Sequence, residues 1–250
     1  MTAENPWLEV RVDFRMQRRL LVAGMLGSLT VVICNTTLYG HGELEHWPQW
    51  GLNLAYWAGS AGLAFAGLGF LPTYVALRPA GRSWAAPPAV LLGYFLALGS
   101  AGHGSYFALY SVHQSLLSSS GSAPSADLEA LRTTLETYTL VMTLIPVTAL
   151  LVGSVWYSLA VLLRPTLLPR WMAAWNLFAI SAVGFVLVEL EVLPSVLHGT
   201  LKGFGFHLGV LPYFVLTYVF LARYARSTGD GKHTYHEMPA VSPEDREAKK

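Results

Sequence analysis

The sequence predicts an all-α membrane protein, a bundle of six transmembrane helices with both termini in the cytoplasm. Low charge, long apolar segments and clustered basic residues are the three observations that predict it. Of the 250 residues, 53% are hydrophobic and 12% are charged, whereas a soluble domain is about 25% charged. The net charge of +1 offers no basic face for nucleic acid, so we expect the lipid bilayer and no nucleic acid as a partner.

Six segments are long enough to cross a bilayer, because a helix needs about 20 apolar residues to span a hydrocarbon core about 30 Å thick. The segments that reach this length are 20–39, 52–77, 88–114, 135–163, 171–192 and 196–222. Pro72, Pro146 and Pro212 fall inside them, and neighbouring helices in a bilayer can accommodate such prolines.

The basic residues predict the orientation. Of the sixteen Lys and Arg, all but Arg132 and Lys202 lie in the N-terminal arm, the loops at 78–82 and 164–170, and the C-terminal tail. Basic residues remain on the cytoplasmic side of a membrane. We therefore expect both termini to be cytoplasmic and the protein to be a multi-pass protein of the cell membrane.

The domain organisation follows from these spans. Residues 1–19 form a basic cytoplasmic arm, 20–224 the six-helix domain, and 225–250 a polar cytoplasmic tail that we expect to be disordered. The longest outer connection, 115–134, begins as a Ser/Gly/Pro linker and turns helical around Asp127. The single cysteine, Cys34, lies in an apolar run and reads as a small buried residue.

Small residues recur in "GSAGLAF" (59–65) and "GSAGHGSYF" (99–107). Gly and Ser at helical spacing let the backbones of transmembrane helices approach each other closely. We interpret both stretches as packing surfaces between helices.

The third span carries an unusual polar run, "AGHGSYFALYSVHQS" (101–115). At about 100° per residue, five of its side chains fall within one sector about 100° wide; they are His103, Tyr106, Tyr110, His113 and Gln114. Polar groups are costly against lipid, so this face is expected to look into the bundle.

Other spans place polar groups toward the same outer end of the bundle. These groups are Asn35, Tyr39, Trp57, Tyr138, Glu189, His198 and Lys202. His207, like His103, is expected near the bilayer midplane, and the inner halves of the spans are almost purely apolar. The asymmetry predicts a cavity that is open to the outer side and has an apolar floor.

The residue types suggest two sets of roles in this cavity. We expect an acid–base set with catalytic roles, consisting of His113, Glu189, Lys202, His198 and His103. A second set would bind the substrate: Asn35, Tyr39, Trp57, Tyr106, Tyr110, Gln114 and Tyr138. Structural interpretations also exist, because Lys202 can snorkel outward and a lone His or Tyr can simply join two helices by a hydrogen bond.

Familiar catalytic signatures are absent from the sequence. There is no H-E-x-x-H, no G-x-S-x-G and no P-loop. The loop "HGELEH" (41–46) has residue types that suit zinc, but it lacks fixed helical spacing. We therefore expect neither a bound metal nor a cofactor.

The span pattern resembles an uncharacterised family of small bacterial six-span membrane proteins, classified as a domain of unknown function. The resemblance rests on "CNTTLYG" at the end of the first span, "AGHGSYF" in the third, and "LEVLPSVLHGTLKGFGFHLG" across the fifth and sixth. It implies the six-span fold and no particular activity. This family tends to have Asp where Asn35 stands here.

Three functions fit the predicted cavity. The first is an intramembrane enzyme that isomerises or cyclises an isoprenoid-like or lipid-like molecule by general acid–base chemistry. The second is a proton-linked transporter, channel or sensor that uses the same residues. The third is a redox protein that binds haem or quinone, with His103 and His207 as ligands of a haem.

Overall fold

A computed structural model describes residues 14–39, 48–118, 126–189 and 207–227, and these residues contain no β-strand. The predicted all-α class is therefore confirmed for them. The helices are α1 (Phe14–Tyr39), α2 (Gln49–Leu68), α3 (Leu71–Leu77), α4 (Arg82–Ser118), α5 (Ala126–Leu163), α6 (Leu177–Glu189) and α7 (His207–Ser227). Short 3₁₀ turns at Arg78–Ala80 and Arg170–Ala174 connect α3 to α4 and precede α6.

Four segments of the described chain are long and apolar enough to cross a membrane. They are Phe14–Asn35, Trp50–Ala80, Arg82–Val112 and Ala126–Leu163, and they match the first four predicted spans. The predicted fifth and sixth spans are described only as α6 and α7, since 190–206 lies outside the described residues, as do 1–13 of the arm and 228–250 of the tail.

The second predicted span contains a break between α2 and α3. Gly69 caps α2, where its N–H donates to the carbonyl of Ala66 at 3.0 Å. Pro72 lies in the first turn of α3, where its missing N–H removes no helical hydrogen bond. The helix is therefore interrupted for two residues, Gly69 and Phe70, within one candidate membrane-crossing segment.

Helix α6, in the predicted fifth span, begins at Leu177, whereas the prediction placed the start of that span at 171. The side chain of Asn176 is the reason. Its Oδ1 accepts the N–H of Ala179 at 3.0 Å, and its Nδ2 donates to Ser158 Oγ at 3.2 Å. This side-chain cap satisfies an otherwise unpaired N–H at the helix start and fixes the helix boundary.

The α4–α5 hairpin is more helical than the predicted loop at 115–134. Helix α4 continues to Ser118 and α5 begins at Ala126, so the predicted helical turn around Asp127 is confirmed. Asp127 and Glu129 lie in the first turn of α5, where acidic side chains interact favourably with the helix dipole. Arg132 Nε lies 3.4 Å from Glu129 Oε2 and 3.4 Å from Glu136 Oε1.

Several helix ends meet at one end of the bundle, which we call the basic end. The guanidinium of Arg164, after α5, lies 4.9 Å from the ring centre of Trp84 at the start of α4. The ring centres of Phe14 and Tyr218 are 6.3 Å apart, so the start of α1 lies beside the second half of α7. The arginines in these segments are Arg15, Arg18, Arg19, Arg78, Arg82, Arg164, Arg170, Arg223 and Arg226.

Helices α1 and α2 approach each other through glycines. A methyl group on Gly27 would lie 2.5 Å from the backbone N of Ala66 and 2.5 Å from the carbonyl oxygen of Gly62. A methyl on Gly62 would in turn lie 2.8 Å from the carbonyl oxygen of Gly27. The predicted packing role of "GSAGLAF" is confirmed, as is the burial of Cys34.

Candidate functional site

His103 lies on α4 and packs against α2. Its ring centre is 5.4 Å from that of Tyr56. A methyl group on Gly59 would lie 2.6 Å from His103 Nε2, so only glycine at this position leaves room for the imidazole. Within the described part of the chain, Nε2 is buried and has no hydrogen-bond partner. On the side of Nε2, the ring is therefore held by packing against Gly59 and not by a hydrogen bond.

His207, the first described residue of α7, is the second imidazole of the site. It is 4% exposed, and it lies close enough to His103 for the two rings to interact electrostatically. The sequence predicted a similar depth for both residues, which α4 and α7 place within the range of electrostatic interaction. A neutral imidazole offers one donor and one acceptor nitrogen, so such a pair can bind a polar group or transfer a proton.

An aromatic wall lies next to this pair. The rings of Tyr56 and Phe107 are 5.0 Å apart between centres. Both belong to a small cluster with Cys34 and Tyr110 that is separate from the main core. Tyr110, predicted to bind substrate, therefore lies in the same cluster as Tyr56, and half-buried Asn35 directly follows Cys34 on α1.

Two of the predicted binding residues have exposed side chains. Trp57 is 72% exposed and Tyr138 is 43% exposed. Both side chains are on the surface of the described bundle.

The other predicted residues can be located only in part. Helix α4 is continuous from Arg82 to Ser118, as the proposed polar face of five residues requires. Some of the predicted residues have a described helical backbone but no described side chain; these are Tyr39, Tyr106, His113, Gln114 and Glu189. His198 and Lys202 lie outside the described residues.

A buried group of hydroxyls was not foreseen from the sequence. Thr73 Oγ1 and Tyr213 Oη are 2.8 Å apart and hydrogen-bonded, and the ring of Tyr157 packs edge-on against Tyr213 at 5.5 Å. The predicted apolar floor thus contains polar atoms from α3, α5 and α7. In the sequence, the tyrosines within apolar segments were the one feature that could have indicated these buried hydroxyls.

No cluster of three His, Cys, Asp or Glu side chains that could hold a metal ion occurs among the described residues. The described fold is helical, with four segments long and apolar enough to span a membrane, and it holds half-buried His103 and buried His207 within electrostatic range of each other. No protein-family model, curated protein or solved structure matches the chain. The resemblance to the six-span bacterial family therefore stays a prediction from the sequence.

Proposed function

We propose that the protein is an intramembrane enzyme that isomerises or cyclises a lipophilic, isoprenoid-like or lipid-like substrate by general acid–base chemistry. The observation that carries the proposal is half-buried His103, packed beside an aromatic wall, with buried His207 within electrostatic range of it. An imidazole titrates closer to neutral pH than any other side chain, which suits it to donating and accepting protons.

In the proposed reaction, the apolar substrate lies along Tyr56, Phe107 and Tyr110. One imidazole delivers a proton to a carbon–carbon double bond, and the partner removes a proton from a neighbouring carbon. The double bond moves and the atoms of the substrate are conserved. The faces of the aromatic rings would stabilise the transient positive charge.

The nitrogen of His103 that carries the proton must face the substrate. Nε2 lies toward Gly59, 2.6 Å from a methyl placed there, whereas Cε1 lies 3.5 Å from it. A half-turn of the ring about the Cβ–Cγ bond exchanges these two atoms within the same volume. The exchange moves Nε2 from the position 2.6 Å from that methyl to the one 3.5 Å from it, and we propose that the substrate meets it there.

The remaining acid–base residues complete the proposal. The rim of the cavity toward the outer leaflet would be formed by His113, Glu189, His198 and Lys202. Glu189 and Lys202 would form an ion pair there, in which each stabilises the charged form of the other. We further propose six spans and cytoplasmic termini in the cell membrane. The gathering of arginines at the basic end supports this orientation.

A comparison of lipids from expressing cells tests the proposal. We expect cells that make the wild-type protein to accumulate a lipid of altered chromatographic retention at unchanged mass. His103→Gln should abolish this species. Thr148→Val, at an exposed position on α5 whose hydroxyl bonds only its own helix, should preserve it.

The rim residues are tested in the same assay. Glu189→Gln and His113→Ala should each reduce the product at least tenfold. Identical lipid profiles in wild-type and His103→Gln cells would reject the enzyme. Proton flux into liposomes by the purified protein, without any new lipid species, would assign transport instead.

Haem binding is a second candidate, because His103 and His207 converge from two helices as axial ligands would. In the described orientation His103 Nε2 faces Gly59, so haem binding would require the same half-turn of the ring. A Soret band in the purified protein that His103→Gln and His207→Gln both remove would favour haem. A featureless spectrum in that region would exclude it.

A further inference from the structure

A groove at the basic end has chemistry unlike that of the imidazole site. It lies between α1, α3 and α4 and has a volume of about 860 Å³, within the range of about 300–1,000 Å³ typical of ligand sites. It includes the first residues of α4, roughly 30 Å along that helix from His103 at about 1.5 Å per residue. The groove is therefore a separate site.

The polar side of the groove is cationic. Arg78 donates a hydrogen bond to Tyr74 Oη, and its guanidinium lies 5.4 Å from the centre of the Tyr74 ring. These contacts hold the arginine at the edge of the groove. Arg82, the first residue of α4, is exposed and also lines it.

Two further features suit an anion. Gln17 lines the groove, is only 9% exposed, and its Oε1 is buried without a hydrogen-bond partner in the described part of the chain. A half-turn of this amide would exchange Oε1 for the NH2 group, which could donate to a bound oxygen. The turn at Gly81, with φ of 95°, directs the N-terminus of α4 to the groove. Free N–H groups and the helix dipole favour negative charge there.

No carboxylate of the contributing helices opposes this charge. The sequence contains neither Asp nor Glu between 14 and 39 or between 48 and 118, which includes every residue that lines the groove. An anionic ligand would therefore meet attraction without competition from an acidic side chain on these segments.

The other walls of the groove are apolar and are formed by Leu20, Leu71, Val75 and Val90. Leu71 and Val90 are exposed, so this side is open to the surroundings of the helices. A ligand that matches both parts has an anionic head and a hydrocarbon chain. Basic pockets between transmembrane helices recognise lipid headgroups in this way.

We propose that this groove binds an anionic phospholipid. The phosphate lies between Arg78 and Arg82, within reach of Gln17, and one acyl chain follows Leu71 and Val90. The lipid fastens α1 and α3 to the start of α4.

Native mass spectrometry of the full-length protein in detergent tests the site, with phosphatidylglycerol and phosphatidylcholine of identical acyl chains as probes. We expect one phosphatidylglycerol to bind at least tenfold more tightly than phosphatidylcholine. Arg82→Gln should weaken binding about fivefold, and the double variant with Arg78→Gln about 25-fold, given the usual contribution of a basic residue near an anionic lipid. Val90→Trp, which keeps the charge but fills the apolar wall, should weaken it at least fivefold.

The matched control is Arg226→Gln, which removes an exposed arginine of α7 that bonds only its own helix and should leave binding unchanged. Equal affinity for the two lipids would overturn the proposal. An equal loss of affinity in Arg226→Gln and Arg82→Gln would also overturn it, because the lipid would then be attracted by the overall positive charge and not by this groove. Full binding by Val90→Trp would overturn it as well, because the apolar wall would then not contact the lipid. Complete displacement by millimolar inorganic phosphate would assign the site to a free anion and overturn the lipid.

Discussion

At the scale of single residues, the contact between Gly59 and His103 decides how the imidazole site is built. The ring occupies the volume that a side chain at position 59 would need. The site therefore depends on a residue with no chemistry of its own. A substitution of Gly59 on α2 should therefore change the position of the His103 ring on α4 and any activity that depends on it.

We expect Gly59→Ala to reproduce the loss of product seen in His103→Gln, because its methyl would lie 2.6 Å from Nε2 and must displace the ring. The matched control is Gly104→Ala, since nothing lies within 4 Å of a methyl at that position. The control should retain activity and gain up to about 1 kcal/mol in stability from the better helix former. Normal turnover by Gly59→Ala would show that the position of this ring does not matter.

The buried hydroxyls give a second prediction at this scale. Tyr213→Phe and Thr73→Val should each lower the free energy of unfolding by about 0.6–1.7 kcal/mol, as for interhelical hydrogen bonds in membrane proteins. The double variant should cost little more than either single one, since both remove the same bond. Unfolding in detergent with increasing SDS measures this. The control Tyr94→Phe, at an exposed position, should leave the free energy of unfolding unchanged. If the losses in Tyr213→Phe and Thr73→Val added fully in the double variant, the two hydroxyls would not be paired.

Individual residues also show how far sequence reasoning reached. Helical periodicity placed His103 toward the interior, and burial of its Nε2 agrees with this. Periodicity did not separate Trp57 from Tyr56, because adjacent residues on a helix differ by about 100° and the choice depends on which neighbour packs there. The tyrosine hydroxyls were overlooked because a tyrosine ring in an apolar run counts as apolar until its partner on another helix is known.

At the scale of elements, close approach of α1 and α2 is the most demanding feature. Gly27 and Gly62 bring the two backbones together, and such contacts supply much of the association energy of transmembrane helices.

We expect Gly27→Ala to destabilise the protein by about 1–3 kcal/mol, the usual cost of overpacking, because the methyl would meet backbone atoms of Ala66 and Gly62 that cannot move aside. Gly93→Ala is the control, since a methyl there would lie 3.5 Å from its nearest neighbour, the carbonyl oxygen of Gly67. Thermal unfolding of both variants in the same detergent gives the comparison. Equal stability of the two would show that α1 and α2 can separate freely.

The boundaries of the elements were less predictable than their existence. Hydropathy alone located the first four spans, because length and apolarity are properties of the sequence. The start of α6 depends on the Asn176 side chain bonding both its own helix and Ser158. The second of these contacts joins residues that are distant in sequence, so no local pattern contains it.

At the scale of the whole molecule, the basic end predicts a membrane orientation. In a Cys34→Ala background, we expect Asp127→Cys to react with a membrane-impermeant maleimide on intact cells, and Arg226→Cys to react only after permeabilisation. Both positions are exposed ends of helices, so accessibility within the fold does not distinguish them. Labelling of Arg226→Cys on intact cells would reverse the proposed orientation.

The lengths of α4 and α5 have one more consequence. They contain 37 and 38 residues, or about 55 Å each at about 1.5 Å per residue, whereas the hydrocarbon layer is about 30 Å thick. With Trp84 and Arg164 joined at one end, the excess of several turns must emerge at the other, even in tilted helices. The tip of this hairpin would project beyond a detergent micelle. It is therefore a suitable epitope for an antibody fragment used in imaging.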